Sequence, residues 1–210
     1  DRYGILFASD EVICGFGRTG EWFGCEHFGT RPDFMTLAKA ITSGYQPLGA
    51  LMVADRVAQV LVGEGGEFFH GFTYSGHPVA AAVANANLEI LERERIVERV
   101  RTEIAPYWAA RWRELADHPL VGEARTLGLF GALELVPRKP SRAFFPERGS
   151  VGTRCRDLSV KNGLVMRAVW DTMIAAPPLV ITPAEIDELV SKAVQTLDQL
   201  HQELRRDGLV

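Results

Sequence analysis

The sequence predicts an α/β fold, with part of a mixed or parallel sheet in the first half of the chain and a smaller α+β region in the second. Three observations favour this fold. Apolar runs without polar alternation occupy residues 5–9, 34–38 and 48–54, which is typical of strands buried on both faces. A long helical pattern then runs from residue 77 to about residue 116. Beyond it, partly alternating strand patterns precede a final amphipathic helix.

The first two apolar runs end in side chains that can do chemistry. Residues 5–9 lead into Asp10 and Glu11, and residues 34–38 lead into Lys39, which lies 29 residues after Asp10. Because ligands collect at the carboxyl ends of parallel strands, we expect Asp10 and Lys39 to share one site. Lysine is rare, with four lysines against 19 arginines, so few other residues could supply a reactive amine.

The junction between the two regions is expected within the long helical pattern. Its beginning is rich in alanine, its later part at residues 92–101 is charged, and Pro106 interrupts it. We therefore predict one domain over residues 1–105 and a second, smaller domain over residues 106–210.

The second region has its own strand and helix signals. Residues 129–135 partly alternate like a strand, and residues 164–167 and 172–175 predict a strand pair around a turn. The last helix is predicted to start after Thr182, which can act as N-cap with Glu185 completing a capping box. Its apolar residues then recur at helical spacing.

Composition excludes several classes of function. A chain of 210 residues with a net charge of −4 and mixed acidic and basic residues does not suggest a nucleic-acid or membrane-surface partner. No apolar run approaches the ~20 residues of a membrane span, and the start has no signal-peptide pattern. Three cysteines without a CxxC and five histidines without metal spacing indicate a reducing, cytoplasmic setting and no metal site. Because the chain begins inside an apolar run, we expect it to be part of a larger protein.

Residues 15–20 match the GxGxxG pattern and follow a predicted strand. A dinucleotide site would need a helix to begin there, so that its N-terminus could hold a pyrophosphate. The segment that follows, Glu21–Cys25, is aromatic and interrupted by glycine, and the acidic pair comes before the glycines. The pattern therefore favours a turn-rich loop near an active site over a nicotinamide site.

Five segments, which follow one another along nearly the whole chain, carry a resemblance to a known family: residues 9–20, 36–50, 71–78, 163–167 and 176–179. Together they resemble the class III pyridoxal-phosphate-dependent aminotransferases, and within them the omega-amine:pyruvate group that includes putrescine:pyruvate and β-alanine:pyruvate enzymes. It implies the fold-type I architecture, with a large α/β domain, a small α+β domain and an active site at a homodimer interface. It also implies pyridoxal 5′-phosphate as cofactor, with an amine and a keto acid as substrates.

The resemblance implies roles for residues of the first region. Lys39 would hold the cofactor as a Schiff base and move the substrate proton, which requires partial burial in an apolar wall. Asp10 would pair with the pyridinium nitrogen, leaving Glu11 structural, and Val12 or Ile13 would pack on the ring. Taken alone, the local sequence is equally compatible with a surface lysine at position 39, and aliphatic residues such as Val12 and Ile13 are much more often ordinary core residues.

Four further residues are assigned in the same way. Thr73 would donate its hydroxyl to the cofactor phosphate of the neighbouring subunit, with Phe72 adding a backbone amide. Arg167 resembles the mobile arginine that binds the substrate carboxylate, although a surface role is the default for an arginine. Trp170 departs from the family pattern, which has glycine before Asp171. Its indole could narrow the cleft, restrict Arg167 or point outward.

The predicted activity is transfer of an amino group from an amine or omega-amino acid to pyruvate. A different enzyme on the same scaffold, such as an aminomutase or racemase, would use Lys39 and Asp10 equally well. A third possibility is that the isolated chain is an inactive fragment, because half a pocket should bind the cofactor weakly.

Overall fold

The computed structural model describes residues 2–140 and 143–210. The chain divides into two compact units, Asp1–Arg99 and Val100–Val210. The domain junction predicted at residue 105 stays a prediction, and it falls within a helical segment close to this division.

The first unit contains a three-stranded mixed sheet and short helices. Its elements are β1 (Ala8–Asp10), α1 (Gly24–His27), β2 (Phe34–Leu37), β3 (Ala50–Val53), α2 (Asp55–Gln59), α3 (Pro78–Arg93) and α4 (Ile96–Arg99). Strand β2 lies in the centre, parallel to β1 and antiparallel to β3. The predicted strands are therefore present, although β1 and β3 are shorter than the apolar runs that predicted them.

The burial predicted for these strands is found only in part within this chain. Ile5, Leu6 and Phe7, which lie before β1, are 70%, 49% and 45% exposed, and Leu51 and Met52 of β3 are 58% and 56% exposed. The residues of β2 are half-buried or, at Leu37, buried. The apolar composition of residues 5–9 and 48–54 is typical of strands that are buried on both faces. The exposure of these residues therefore differs from what their composition predicts.

The second unit contains a four-stranded antiparallel sheet covered by three helices. Its elements are α5 (Ala105–Arg113), β4 (Val121–Leu127), β5 (Phe130–Leu135), α6 (Ser150–Lys161), β6 (Arg167–Val169), β7 (Thr172–Ala175) and α7 (Pro183–Arg206), and the strand order is β4-β5-β7-β6. Alternate residues of β5 and β7 are buried beneath the helices, among them Leu133 and Met173 at 0% exposure. The alternation predicted for residues 129–135 is thus confirmed.

Two helix predictions had different outcomes. Helix α7 begins as predicted, because the Thr182 hydroxyl accepts a hydrogen bond from the Glu185 amide and Glu185 bonds back to the Thr182 amide at 2.8 Å. The predicted break at Pro106 is wrong. The chain instead leaves the helical conformation at Arg95, whose φ is +51°. From Ile96 onward it is helical without a break, because a π-helical turn, Val100–Ile104, joins α4 directly to α5, and Pro106 is the second residue of α5. No helix among the described residues is long and apolar enough to span a membrane.

The His118 side chain lies between α7 and the turn before β4 and is 10% exposed. Its Nδ1 accepts a hydrogen bond from the Leu120 amide at 3.2 Å, and its Nε2 lies 3.5 Å from the Asp198 carboxylate. The His201 ring packs edge-on against it at 5.7 Å. Burial lowers the pKa of His118; Asp198 opposes this shift, whereas His201 and Lys139 add to it.

We expect the second unit to lose stability in acid because of His118. Its pKa in the folded state lies below the value of 6.5 in the unfolded state, so the stabilisation is present above pH 6.5 and is lost as the pH falls towards the folded pKa. The measurement is the thermal unfolding midpoint of the wild type and of His118→Asn at about pH 8 and at about pH 5.5. The midpoint should fall less between these two pH values in the variant than in the wild type. An equal fall in both proteins would contradict this role for His118.

Candidate functional site

Strands β1 and β2 bring Asp10 and Lys39 to the same edge of the sheet. The two strands are parallel, and Asp10 lies opposite Thr36, three residues before Lys39. The Glu11 amide continues the ladder by donating to the Thr36 carbonyl at 3.0 Å. The juxtaposition predicted from the ends of the apolar runs is therefore present in the backbone.

The Asp10 carboxylate is held through one oxygen. Its Oδ1 accepts hydrogen bonds from the Val12 amide at 3.1 Å and from the Thr36 hydroxyl at 3.0 Å. Its Oδ2 accepts none from the described residues, and the side chain is exposed. Asp10 is thus oriented by the protein while one oxygen stays available to a cationic donor.

Lys39 begins a 3-10 turn, Lys39–Ile41, with a left-handed φ of +47°. This conformation is uncommon for a residue with a side chain and occurs often at functional sites. The apolar wall expected around Lys39 is not found within this chain, where the side chain is exposed. Its Nζ has no hydrogen-bond or ion-pair partner among residues 2–140 and 143–210, so the amine is accessible.

Helix α3 fixes the turn that carries Lys39. The Asn87 amide donates to the carbonyls of Ala40 at 2.8 Å and Ile41 at 3.3 Å, and its side-chain oxygen accepts from the Ser43 hydroxyl at 2.7 Å. Sequence reasoning missed Asn87 and Thr36. Asn87 could have been noticed only because it is a polar residue in an alanine-rich stretch of predicted helix.

Glu11 has a structural role, as expected for the second residue of the acidic pair. It is 2% exposed, and its two oxygens accept from the amides of Gly24 and Cys25 at 2.7 Å each. The Ser9 hydroxyl donates to it at 3.1 Å. Glu11 therefore satisfies otherwise free amides at the start of α1 and ties the loop to β1.

The GxGxxG segment forms turns and not the start of a long helix. Turns extend over residues 12–19, and the only helix that follows closely is the four-residue α1. The dinucleotide interpretation is therefore excluded on local geometry. Val12 is half-buried and Ile13 is 48% exposed in this loop, directly after Asp10.

Phe72 and Thr73 lie on a separate, exposed turn of the first unit. The Phe72 amide donates to the Ser75 hydroxyl at 3.1 Å, and the Ser75 amide returns a bond to the Phe72 carbonyl at 2.9 Å. The amide assigned to a phosphate is thus already engaged in this conformation. The Thr73 side chain is exposed, so its assignment to a phosphate stays a prediction.

Arg167 and Trp170 lie on the β6–β7 hairpin of the second unit. Arg167 is exposed, lies opposite Ile174, and its guanidinium has no partner among the described side chains. Trp170 occupies the turn with a φ of +53° and is 60% exposed. The left-handed backbone explains why glycine suits this position in the family pattern. The indole packs beneath the Arg148 guanidinium, which lies 4.9 Å from the ring centre.

Comparison with known proteins decides the family. Residues 1–197 match the family model described as Aminotransferase class-III. The chain belongs to the class III aminotransferases. It is 60% identical over 198 residues to the putrescine–pyruvate aminotransferase of Pseudomonas aeruginosa, covering 94% of this chain and 43% of that protein. The chain therefore spans less than half the length of this relative.

Solved transaminase structures confirm the fold. A transaminase with L-alanine superposes with a TM-score of 0.90 at 40% identity, covering 97% of this chain and 48% of that one. An (S)-enantioselective omega-transaminase from Thermomicrobium roseum gives 0.89 at 43% identity, covering 95% of this chain and 44% of that one. The fold-type I architecture expected from the sequence is thereby confirmed.

The residues at the sheet edge fit pyridoxal phosphate, the cofactor of this family. A protonated pyridine nitrogen requires one carboxylate, and Asp10 offers an oriented one with an unengaged oxygen. The cofactor's aldehyde requires an accessible amine, and Lys39 offers one in the turn that follows the neighbouring strand. The Asp10 carboxylate and the Lys39 amine therefore suit the pyridine nitrogen and the aldehyde of the cofactor, respectively.

Proposed function

We propose that the protein moves an amino group from an amine or omega-amino acid to pyruvate, using pyridoxal 5′-phosphate held by Lys39. The observation that carries this proposal is that Asp10, at the end of β1, and Lys39, in the turn after the adjacent parallel strand β2, lie at one sheet edge with unengaged functional atoms. The named activity of the Pseudomonas aeruginosa relative and the L-alanine in one structural neighbour support pyruvate as the acceptor.

Each residue has a defined task in this proposal. When bound, pyridoxal phosphate draws electrons away from the substrate carbon that carries the nitrogen. Asp10 Oδ2 keeps a proton on the pyridine nitrogen. The Thr36 hydroxyl and the Val12 amide hold the other carboxylate oxygen of Asp10, Oδ1. Lys39 Nζ holds the cofactor and then carries the proton removed from the substrate carbon. Val12 or Ile13 packs against the ring.

The remaining assignments concern the ends of the cofactor and substrate. Thr73 donates its hydroxyl, and Phe72 its amide, to a phosphate of the neighbouring subunit, which requires a homodimer and release of the Phe72–Ser75 bond. Arg167 binds the carboxylate of pyruvate through two parallel hydrogen bonds, since a guanidinium matches a carboxylate in shape and charge. Trp170 borders this position. We place the enzyme in the cytoplasm.

The test is conversion of pyruvate to alanine by the full-length protein loaded with cofactor. With putrescine or β-alanine as donor, we expect one alanine formed for each amine consumed. An aminomutase or racemase would instead change a single substrate without consuming pyruvate, and absence of alanine with every amine tried would refute the proposal. We expect the isolated 210-residue chain to be inactive, and turnover by it would contradict that expectation.

A further inference from the structure

The tip of the β6–β7 hairpin is anchored to helix α6 by Asp171. The Asp171 carboxylate is 6% exposed; its Oδ2 accepts from the Gly149 amide at 2.8 Å and its Oδ1 from the Gly152 amide at 2.9 Å. These amides belong to the N-cap and the third residue of α6, where helical N–H groups have no partner within the helix. The Asp171 carbonyl also accepts from the Leu135 amide of β5 at 3.0 Å.

Glycine at position 152 allows this close approach. A Cβ atom added to Gly152 would lie 1.9 Å from the Trp170 carbonyl oxygen and 3.0 Å from the Asp171 Cα. Both of these neighbours are backbone atoms, so no side-chain rotation could relieve the overlap. The hairpin therefore docks against the helix through backbone contact, and its position is closely defined.

Trp170 and Arg148 form a second contact at the same tip. The Arg148 guanidinium lies 4.9 Å from the Trp170 ring centre and 5.0 Å from the Phe144 ring centre, between two exposed aromatic rings. A left-handed residue with a side chain is strained relative to glycine. Cation–π attraction to Arg148 opposes that strain and fixes the turn against the segment before α6.

Arg167 depends on this anchor for its position. Strand β6 has only three residues, pairs with β7 alone and forms an edge of the sheet. The Arg167 side chain has no partner of its own among the residues described, so its location follows from the backbone that carries it. The backbone is held at the tip by Asp171, four residues later, and along its length by packing on α6.

We propose that Asp171 is a positioning residue for substrate recognition: by docking the hairpin on the α6 N-terminus, it presents Arg167 to the carboxylate of the keto-acid acceptor. This inference rests on the proposed function, in which Arg167 binds that carboxylate. The Arg148–Trp170 contact has the same role with a smaller effect, because the interaction is exposed. An amine donor without a carboxylate does not use Arg167, so donor chemistry does not depend on the anchor.

The experiment separates the two substrates in the full-length enzyme loaded with cofactor. Asp171→Asn keeps the side-chain volume but turns an amide group towards one backbone N–H. We expect the KM for pyruvate to rise about tenfold at nearly unchanged kcat, since binding of the acceptor carboxylate is weakened. The rate of the half-reaction with putrescine should be unchanged. Arg148→Gln should raise the KM for pyruvate about two- to threefold. If Asp171→Asn does not fold, this variant tests whether the docked hairpin positions Arg167, and an unchanged KM would contradict that role.

Two controls identify which idea fails. Asp157→Asn replaces an exposed aspartate on α6 that pairs with Arg156, and it should change neither constant. Arg167→Gln should raise the KM for pyruvate more than either anchor variant. If Arg167→Gln leaves that KM unchanged, the proposed function of Arg167 is wrong. Two results would overturn the positioning role of Asp171. In the first, Arg167→Gln raises the KM for pyruvate while a folded Asp171→Asn variant does not. In the second, Asp171→Asn slows the half-reaction with putrescine as much as it weakens the reaction with pyruvate.

Discussion

Replacing Lys39 with alanine is expected to abolish transamination. In the proposed function, the variant loses both the amine that would hold the cofactor and the base that would move the substrate proton. Proton transfer by a positioned base alone typically contributes about 10²–10⁴-fold, so we expect turnover to fall by roughly 1,000-fold or more. Absorbance of the full-length protein with cofactor provides the measurement. The wild type should show a visible band that borohydride abolishes, and the variant should lack that band.

The structure also supplies a matched control for this substitution. Of the other three lysines, Lys139 donates to the Ala116 carbonyl at 2.5 Å and Lys192 pairs with Glu188 at 2.6 Å. Lys161 is exposed near the end of α6. Lys161→Ala should keep both the band and the activity. A reducible band that persists in Lys39→Ala would move the chemistry to another lysine and contradict the central assignment.

The Asp10–Lys39 edge could be predicted because it depends on local rules. An uninterrupted apolar run indicates a strand, parallel strands present their carboxyl ends at one edge, and the two polar residues follow those ends directly. The residues that orient the pair could not be found this way. Asn87 reaches the Lys39 turn from a helix nearly fifty residues later, and contact across such a separation leaves no periodic signal in the sequence.

The errors have physical causes of a similar kind. The exposure of Ile5 and Leu51 depends on which elements cover the sheet, whereas an apolar run reports only that the strand suits burial on both faces. Pro106 was given too much weight, because the helical path continues through it, directly after a π-helical turn at Val100–Ile104 that the sequence pattern does not reveal. The sequence marked Trp170 only as a departure from the family pattern, whereas its left-handed backbone and its contact with Arg148 required coordinates.

The core of the second unit predicts the largest loss of stability. Trp108 and Trp112 are fully buried on α5, with stacked rings whose centres lie 4.6 Å apart. Their indole N–H groups donate to the carbonyls of Phe130 and Ala132 on β5, at 3.1 Å and 3.3 Å. Between those two residues Gly131 makes room for the rings, because a Cβ there would lie 2.5 Å from Trp108. The helix and the sheet therefore fit together through two large side chains and one residue without a side chain.

Trp108→Ala should lower the free energy of unfolding by about 3–5 kcal/mol, since it leaves a large cavity in the core and removes the hydrogen bond from the Trp108 indole to the Phe130 carbonyl. Urea unfolding followed by circular dichroism measures the change. Trp170→Ala is the matched control, because it makes the same deletion in the same unit at a side chain that is 60% exposed. Trp170→Ala should lower the free energy of unfolding by less than about 1 kcal/mol, the size of an exposed cation–π contact. Equal losses from the two variants would show that the packing of Trp108 against β5 does not stabilise this unit as the contacts indicate.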